Sequence, residues 1–152
     1  MSSNSLDIVI GAGSAIGRAL IERWSGECAR PILAVARSAD SLAVIEQLGA
    51  QTHQCDYSEA ALAALAVQLQ EQSADISRLV ICNGVLQGEG YRPERALNQL
   101  KTSAMEQVFE INTFLPMCVL ASMAPVLKRC AAPRIAVLSA RVGSIGDNSL
   151  GG

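Results

Sequence analysis

Short apolar runs rich in β-branched residues alternate along this chain with longer segments of helical periodicity. The runs are predicted as strands over Leu6–Ile10, Pro31–Ala36, Gln51–Cys55, Arg78–Cys82 and Arg134–Ser139. The helical segments, in which apolar residues recur every three or four positions, are Ser14–Trp24, Ser38–Leu48, Ser58–Gln72 and Thr102–Lys128. Strands that alternate with helices need crossover connections, so the pattern predicts an α/β fold with a parallel sheet covered by helices on both faces.

The predicted helices carry their own boundary signals. Ser38, Ser58 and Thr102 are side chains that can cap a helix N-terminus, and Gly49 fits a helix stop. Pro116 falls inside the last and longest helix, which it is expected to bend, because proline cannot donate the backbone hydrogen bond of a regular helix.

Composition limits the classes of function. The chain has 152 residues, which predicts a single domain, and half of them are hydrophobic, which excludes disorder. The net charge is −2 with scattered basic residues, so no nucleic-acid partner is expected. The longest apolar run, Phe114–Leu127, has 14 residues and two prolines, which is too short to span a bilayer, so no membrane association is expected. The N-terminus has no basic segment of the kind that begins a signal peptide.

The spacing of the cysteines and the single histidine also argues against metal sites and disulfides. Five cysteines are widely spread with no C-x-x-C pair, which predicts buried thiols in a reducing cytoplasm and no metal centre. His53, the single histidine, falls inside a predicted strand and is interpreted as structural.

A glycine-rich turn joins the first strand to the first helix. Gly11 allows a tight turn, Gly13 leaves room for a pyrophosphate, and Gly17 allows close packing of helix on strand. The amides at the helix start, at Ser14 and Ile16, would face the anion with the favourable helix dipole behind them. The turn therefore predicts a dinucleotide site, the alternative being a turn with a packing glycine.

The ends of the next strands refine that site. An NAD-preferring site would carry an acidic residue where Ala36 stands, whereas Arg37 and Ser38 can bind a 2′-phosphate. This favours NADP over NAD, unless Arg37 is simply an exposed strand-end residue. Asp56 could accept a hydrogen bond from an adenine amino group, cap the next helix together with Ser58, or do both.

The fourth strand ends in a turn that can approach the same ligand. Asn83 and Gly84 follow this strand, and the glycine would let a ribose come close to the backbone. The alternative interpretation is a turn that only opens the following loop.

Taken together, these features resemble the short-chain dehydrogenase/reductase family over essentially the whole chain. The segments that carry the resemblance are the Gly11–Gly17 loop, Asp56, Cys82–Gly84, Phe109–Asn112 and Leu138–Ser144. Arg141–Ile145 is most similar to the subgroup that includes the bacterial C-signal protein and the insect carbonyl reductase sniffer. The resemblance implies a Rossmann-type, doubly wound parallel sheet of order 3-2-1-4-5 that is incomplete at its C-terminal end.

The resemblance also implies catalytic residues. In the family an Asn, a Ser, a Tyr and a Lys act together, and the Asn matches Asn112, which would hold a water in a proton relay. The family's Ser aligns with Ala140, so Ser139 and Ser144 are the candidates to replace it. This sequence contains no Tyr-x-x-x-Lys pair.

Two functions follow as expectations. The first is the N-terminal, cofactor-binding part of an NADP-dependent oxidoreductase that acts on a small carbonyl or alcohol substrate. The alternative is a non-catalytic nucleotide-binding or interaction protein. A homo-oligomer is expected in either case, because an unfinished sheet leaves apolar surface and unpaired backbone.

Overall fold

A computed structural model describes residues 5–27, 30–94, 96–140 and Gly146. The strands are β1 (Ser5–Ile10), β2 (Ile32–Ala36), β3 (Gln51–Gln54), β4 (Asp75–Ile81) and β5 (Arg134–Val137). The helices are α1 (Ala15–Glu27), α2 (Ala39–Glu46), α3 (Glu59–Glu71), α4 (Thr102–Phe109) and α5 (Leu115–Leu127). A π-helical segment, Glu110–Phe114, joins α4 to α5, and a 3₁₀ turn covers Leu97–Gln99.

The described strands form one parallel sheet in the order β3-β2-β1-β4-β5. Strand β1 is central and is paired with β2 on one side and β4 on the other. The sequence prediction of a Rossmann-type, doubly wound sheet in this order is therefore confirmed. Since all strands are parallel, their carboxyl ends lie along one edge of the sheet.

A separate apolar core fills each face of the sheet. On one face α3 and α5 pack on side chains of β1, β2 and β4 that include Ile8, Val35 and Leu79. On the other face α1 and α2 pack on alternate residues of the same strands, among them Val9 and Ala34. Because successive strand residues point to opposite faces, one apolar run supplies both cores.

The sequence predicts helices over both faces of every strand, but the two outer strands, β3 and β5, are less covered. All four residues of β5 are exposed, and those of β3 are exposed or half-buried. Both strands lie at an edge of the sheet, where they meet fewer helical side chains than the three inner strands. The apolar strand pattern predicts double coverage correctly only for β1, β2 and β4.

Several element boundaries differ from the sequence prediction. Strand β4 begins at Asp75 instead of Arg78, because backbone pairing with β1 extends through residues whose polarity hides the strand. Strand β5 ends at Val137 instead of Ser139. Helix α1 begins at Ala15 and ends at Glu27 instead of running from Ser14 to Trp24, and it buries Ile21 and Trp24 while Ile16 is exposed.

The long helix predicted over Thr102–Lys128 is divided in three. Thr102 does not cap it: Thr102 is the first helical residue, and Lys101 holds the cap position without a side-chain hydrogen bond. The π-helical segment ends just before Pro116, and the Leu115 amide donates to the Glu110 carbonyl five residues earlier. A proline ring clashes with the carbonyl four residues before it, here that of Asn112, which gives a physical reason for the widened turn.

The helical stretch from Thr102 to Leu127 has 26 residues and contains an 18-residue window with a mean hydropathy of 1.4, so by length and composition alone it could cross a membrane. The apolar run considered in the sequence covers only part of it. The core helix of a soluble protein meets the same criterion, and α5 packs its Val119, Met123 and Val126 into the core against the sheet.

A buried carboxylate lies on β1 at the opposite end of the sheet from the glycine-rich turn. Asp7 is fully buried and accepts hydrogen bonds from Arg30 Nη1, 3.2 Å from each carboxylate oxygen, and from Arg78 Nη2 at 2.5 Å. The Arg78 guanidinium stacks 3.8 Å from the centre of the Trp24 ring. Two arginines therefore balance the charge that burial would otherwise penalise.

Candidate nucleotide site

A cavity of about 230 Å³ lies at the carboxyl edge of the sheet. Its lining comes from the loops that follow β1, β2, β3 and β4 and from the π-helical segment. The lining residues are Gly11, Gly13, Ser14, Ala36, Arg37, Ser38, Ser41, Tyr57, Cys82, Asn83, Gly84, Val85 and Ile111. Seven of the ten residues that the sequence assigns to a cofactor thus share one cavity.

The glycines of the first turn are held by close contacts. Gly11 has a φ of +76°, and a Cβ there would lie 2.8 Å from the Asn83 backbone nitrogen. At Gly17 a Cβ would lie 2.7 Å from the Gly11 carbonyl oxygen, so only glycine lets α1 begin this close to the turn. A Cβ on Gly13 would lie 3.1 Å from Ser41, at the mouth of the cavity between the turn and α2.

Helix α1 begins beside the cavity with an ordered cap. The Ser14 hydroxyl accepts a hydrogen bond from the Gly17 amide at 3.0 Å, and the Ser14 amide donates to the Gly11 carbonyl at 3.0 Å. The positive end of the helix dipole adds to the charge of Arg37, the one ionised side chain among the described residues that line the cavity. The lining is therefore electrostatically suited to an anion.

Arg37 and Ser38 occupy the step from β2 to α2. The Arg37 side chain is exposed, while its carbonyl accepts a hydrogen bond from Gln54 Nε2 at 3.0 Å. Ser38 caps α2 by accepting from the Ser41 amide at 3.3 Å. Ser41 itself also lines the cavity, a position that sequence reasoning missed because the residue looks like an ordinary polar site on an exposed helix turn.

Asp56 has one of the two roles left open by the sequence. Its Oδ1 accepts a hydrogen bond from the Ser58 amide at 2.9 Å, and Ser58 caps α3 by accepting from the Ala61 amide at 3.2 Å. The bond from Ser58 lowers the pKa of the Asp56 carboxyl, which is exposed to solvent. Asp56 lies outside the residues that line the cavity, and its contact with adenine stays a prediction.

The loop after β4 also forms part of the cavity wall. Asn83 is half-buried, and its Oδ1 is fully shielded from solvent without a hydrogen-bond partner in the described part of the chain. At Gly84, the next residue, an added Cβ would lie 3.8 Å from Asn112 Oδ1, which is an ordinary van der Waals contact. The unpaired Asn83 oxygen is an acceptor that a ligand hydroxyl could satisfy.

Asn112 projects from the π-helical segment to the same loop. Its Oδ1 accepts from the Val85 amide and its Nδ2 donates to the Val85 carbonyl, both at 2.8 Å. This paired contact fixes the loop that carries Asn83 and Gly84. It also explains why an Asn in a mostly apolar helix is accommodated: its amide replaces backbone partners for Val85.

Residues 7–150 match the family model described as short chain dehydrogenase. The chain belongs to the short-chain dehydrogenase family. Members of this oxidoreductase family use a nicotinamide cofactor, NAD or NADP, act on small-molecule substrates, are often oligomeric and are typically soluble.

Solved structures share the fold at low sequence identity. A short-chain type dehydrogenase/reductase from Mycobacterium ulcerans is 17% identical with a TM-score of 0.77, covering 92% of this chain and 52% of that one. A ribose-5-phosphate isomerase from Brucella melitensis 16M is 24% identical with a TM-score of 0.78, covering 92% and 53%. A serine dehydrogenase from Escherichia coli is 17% identical with a TM-score of 0.75, covering 96% and 68%. No curated protein matches the chain.

The chain thus spans about half the length of the first two of these structures. At such identities the likeness concerns the fold alone. The assignment to the family comes from the family model, whose match includes the glycine-rich turn, Asn83, Gly84 and Asn112.

The remaining predicted residues of this family member lie away from the cavity or outside the described residues. Ile16 is exposed on the first turn of α1, and Gly17 packs behind the glycine-rich turn without lining the cavity. Ser139 is exposed, two residues past the end of β5. Ser144 lies outside the described residues, as does the rest of the segment 141–145.

Two thiols near the carboxyl edge of the sheet are kept protonated. Cys82 lines the cavity, and burial raises the pKa of its thiol to about 11. Burial likewise raises the pKa of the Cys55 thiol. Both are therefore weak nucleophiles at neutral pH, in line with the structural role predicted for the cysteines.

Proposed function

We propose that this chain binds NADP(H) at the cavity along the carboxyl edge of the sheet, as the cofactor-binding part of an oxidoreductase that acts on small carbonyl or alcohol substrates. The observation that carries the proposal is the joint lining of one cavity by the glycine-rich turn, Arg37, Ser38, Asn83 and Gly84. When bound, the nicotinamide would supply hydride transfer to or from the substrate.

The residues of the cavity fit the parts of a dinucleotide. The amides of Gly11, Ala12 and Ser14 donate to partners within the fold, so the pyrophosphate would be bound by the Gly13 amide and by the amides of the first turn of α1. The unpaired Asn83 Oδ1 supports the fit independently of family membership, because a ribose hydroxyl would satisfy it. Asp56 has a second carboxylate oxygen that could accept from an adenine amino group.

The preference for NADP depends on Arg37 and Ser38. A guanidinium and a hydroxyl at the end of β2 suit a 2′-phosphate, whereas a carboxylate would suit the free ribose of NAD. In the described residues that line the cavity, no carboxylate opposes Arg37.

Arg37→Ala is expected to raise the Kd for NADPH about tenfold or more, the loss of a charge-assisted hydrogen bond, and to change the Kd for NADH little. Titration of NADPH and NADH fluorescence measures both constants. Arg129→Ala, an exposed arginine just beyond the C-terminal end of α5, is the matched control and should leave both unchanged. Equal losses for NADPH and NADH would remove Arg37 from the 2′-phosphate site.

We further propose that Asn112, with Ser139 or Ser144, belongs to the reactive end of the site. The paired contact between Asn112 and Val85 supports a position beside the bound cofactor. The proposal includes membership of the C-signal and sniffer subgroup, a homo-oligomeric state and a cytoplasmic location, the last supported by free thiols at Cys55, Cys82, Cys118 and Cys130.

A nucleotide-binding protein without catalysis is the second candidate. It is favoured by Ala140, which stands where the family's catalytic serine aligns. Incubation with NADPH and a panel of aldehydes and ketones, followed at the absorbance of the reduced nicotinamide, separates the two. Tight NADPH binding with no carbonyl-dependent oxidation would favour the second candidate.

A further inference from the structure

Tyr57 is a buried tyrosine in the middle of the nucleotide edge, where the sequence gives no motif for one. Its hydroxyl accepts a hydrogen bond from the Gly11 amide and donates to the Val35 carbonyl, both at 3.1 Å. The Asn83 side chain adds a hydrogen bond to the same hydroxyl. A phenol has one donor and two acceptor positions, so the bonds to Gly11 and Val35 leave one acceptor position for the Asn83 side chain.

The residues that meet at this hydroxyl come from the carboxyl ends of four strands. Gly11 follows β1, Val35 lies in β2, Tyr57 itself follows β3, and Asn83 follows β4. The Val35 carbonyl also accepts from the amides of Gly11 and Ala12 at 3.0 Å. One side chain therefore joins the carboxyl ends of four neighbouring strands.

The backbone of Tyr57 is held in an unfavourable conformation. Its φ is +67°, a region that bulky residues rarely adopt. The neighbouring loop enforces it, since the Tyr57 amide donates to Cys55 Sγ at 3.4 Å while Asp56 accepts from Ser58. Strain of this kind persists where surrounding contacts fix it, and it is concentrated at functional sites.

The hydrogen bonds of Tyr57 leave the side-chain oxygen of Asn83 without a partner among the described residues. Asn83 gives its amide to the phenol, and its Oδ1 stays buried without a partner beside the cavity. The phenol thus fixes the Asn83 side chain with its acceptor available, and it fixes Gly11 at the start of the turn. Burial raises the pKa of Tyr57, so the hydroxyl remains protonated and able to donate to Val35 at neutral pH.

We propose that Tyr57 is a positioning residue for the dinucleotide, whose hydroxyl sets the glycine-rich turn and the Asn83 acceptor in their binding arrangement before the ligand arrives. This inference rests on the proposed NADP(H) function and adds to it a residue that would act through Gly11 and Asn83, without a role in the chemical step.

The test is Tyr57→Phe, which keeps the ring and removes the hydroxyl. We expect the Kd for NADPH to rise roughly fivefold, as for the loss of a buried hydrogen bond, and the Kd for NADH to rise by the same factor. The matched control is Tyr91→Phe at the second tyrosine, which lies outside the cavity lining and should leave both constants unchanged. A second control, Ile76→Val, trims a buried core residue of β4 and should lower the melting temperature without raising either Kd.

An absorbance titration of the phenols provides a readout that needs no ligand. The wild-type protein should show one phenol that ionises above the ordinary tyrosine range, and Tyr57→Phe should lose it. If wild type binds neither NADPH nor NADH while this phenol is present, the proposed function fails. If wild type binds and Tyr57→Phe binds equally well, the positioning role is wrong and the proposed function stands.

Discussion

Two thiols and a phenol are buried near the cavity at the carboxyl edge of the sheet, and burial acts on all three in the same direction. It raises the pKa of Cys82 to about 11 and the pKa of Cys55 and Tyr57 above their ordinary values. Each group is therefore uncharged at neutral pH, and the positive charge of Arg37 is not offset by them. This arrangement suits a site for an anionic ligand.

The raised pKa of Cys82 predicts a loss of stability in alkali. The folded thiol has a pKa of about 11, above the ordinary value of 9.0, so the unfolded chain releases its proton first. The free energy of unfolding is then fully retained below pH 9 and falls as the pH rises from 9 towards 11. Urea unfolding across this range should show a shallower decline for Cys82→Ala than for wild type. Parallel profiles would mean that Cys82 titrates normally in the folded protein.

At the scale of elements, the sequence predicts regular pieces better than the joints between them. The β-branched runs locate β1, β2 and β4 because burial in the sheet favours such residues, and Ser38 and Ser58 mark helix starts by a purely local hydrogen bond. The polar residues Asp75 and Ser77 obscure the start of β4 in the sequence, because that start is decided by pairing with β1 some 70 residues away. Thr102 resembles a helix cap in the sequence but is the first helical residue in the structure. Local rules fail where a distant partner decides the structure.

Asp7 is the clearest case of such a partner, since it joins β1 to Arg78 of β4 and to Arg30 just before β2. Asp7→Asn is expected to lower the free energy of unfolding by about 3–5 kcal/mol, because it leaves two partly buried guanidiniums without their carboxylate. Urea denaturation measures the change.

The control for Asp7 is Glu27→Gln, which removes the ion pair with Arg23 on the surface of α1. Both side chains of that pair are more than half exposed, at 72% and 51%, so the cost should be below about 1 kcal/mol. A small effect at both positions would show that the buried network contributes no more than a surface pair.

For the whole molecule, sequence reasoning recovers the topology and much of the cavity but not its internal connections. Gly11, Gly13 and Arg37, which the sequence predicts from a turn and an anion site at fixed places after strands, all line the cavity. Tyr57 and Ser41 are missed, since their roles follow from four loops that meet only after folding.

Self-association is expected from apolar surface on one side of the molecule. Phe109, Phe114 and Met117, on α4, the π-helical segment and α5, are 53%, 53% and 62% exposed. Sedimentation equilibrium should therefore give a mass above the 16.0 kDa of one chain, and Met117→Glu should shift it towards the monomer.

The control for this surface is Val67→Glu on α3, a residue 52% exposed on a different helix, which should leave the mass unchanged. A single species of 16.0 kDa at high protein concentration would contradict the expected association.

The central place of β1 has a consequence for the order in which this protein is made and folded. Strand β1 (Ser5–Ile10) is synthesised before the other described strands, yet one of its two neighbours, β4, ends only at Ile81. Until that strand leaves the ribosome, one edge of β1 is open and Asp7 lacks Arg78, which follows it by 71 residues. The nascent chain must therefore extend beyond Ile81 before its innermost strand is closed on both sides, so the β1–β4 pair can form only after the β1–β2 pair has become available.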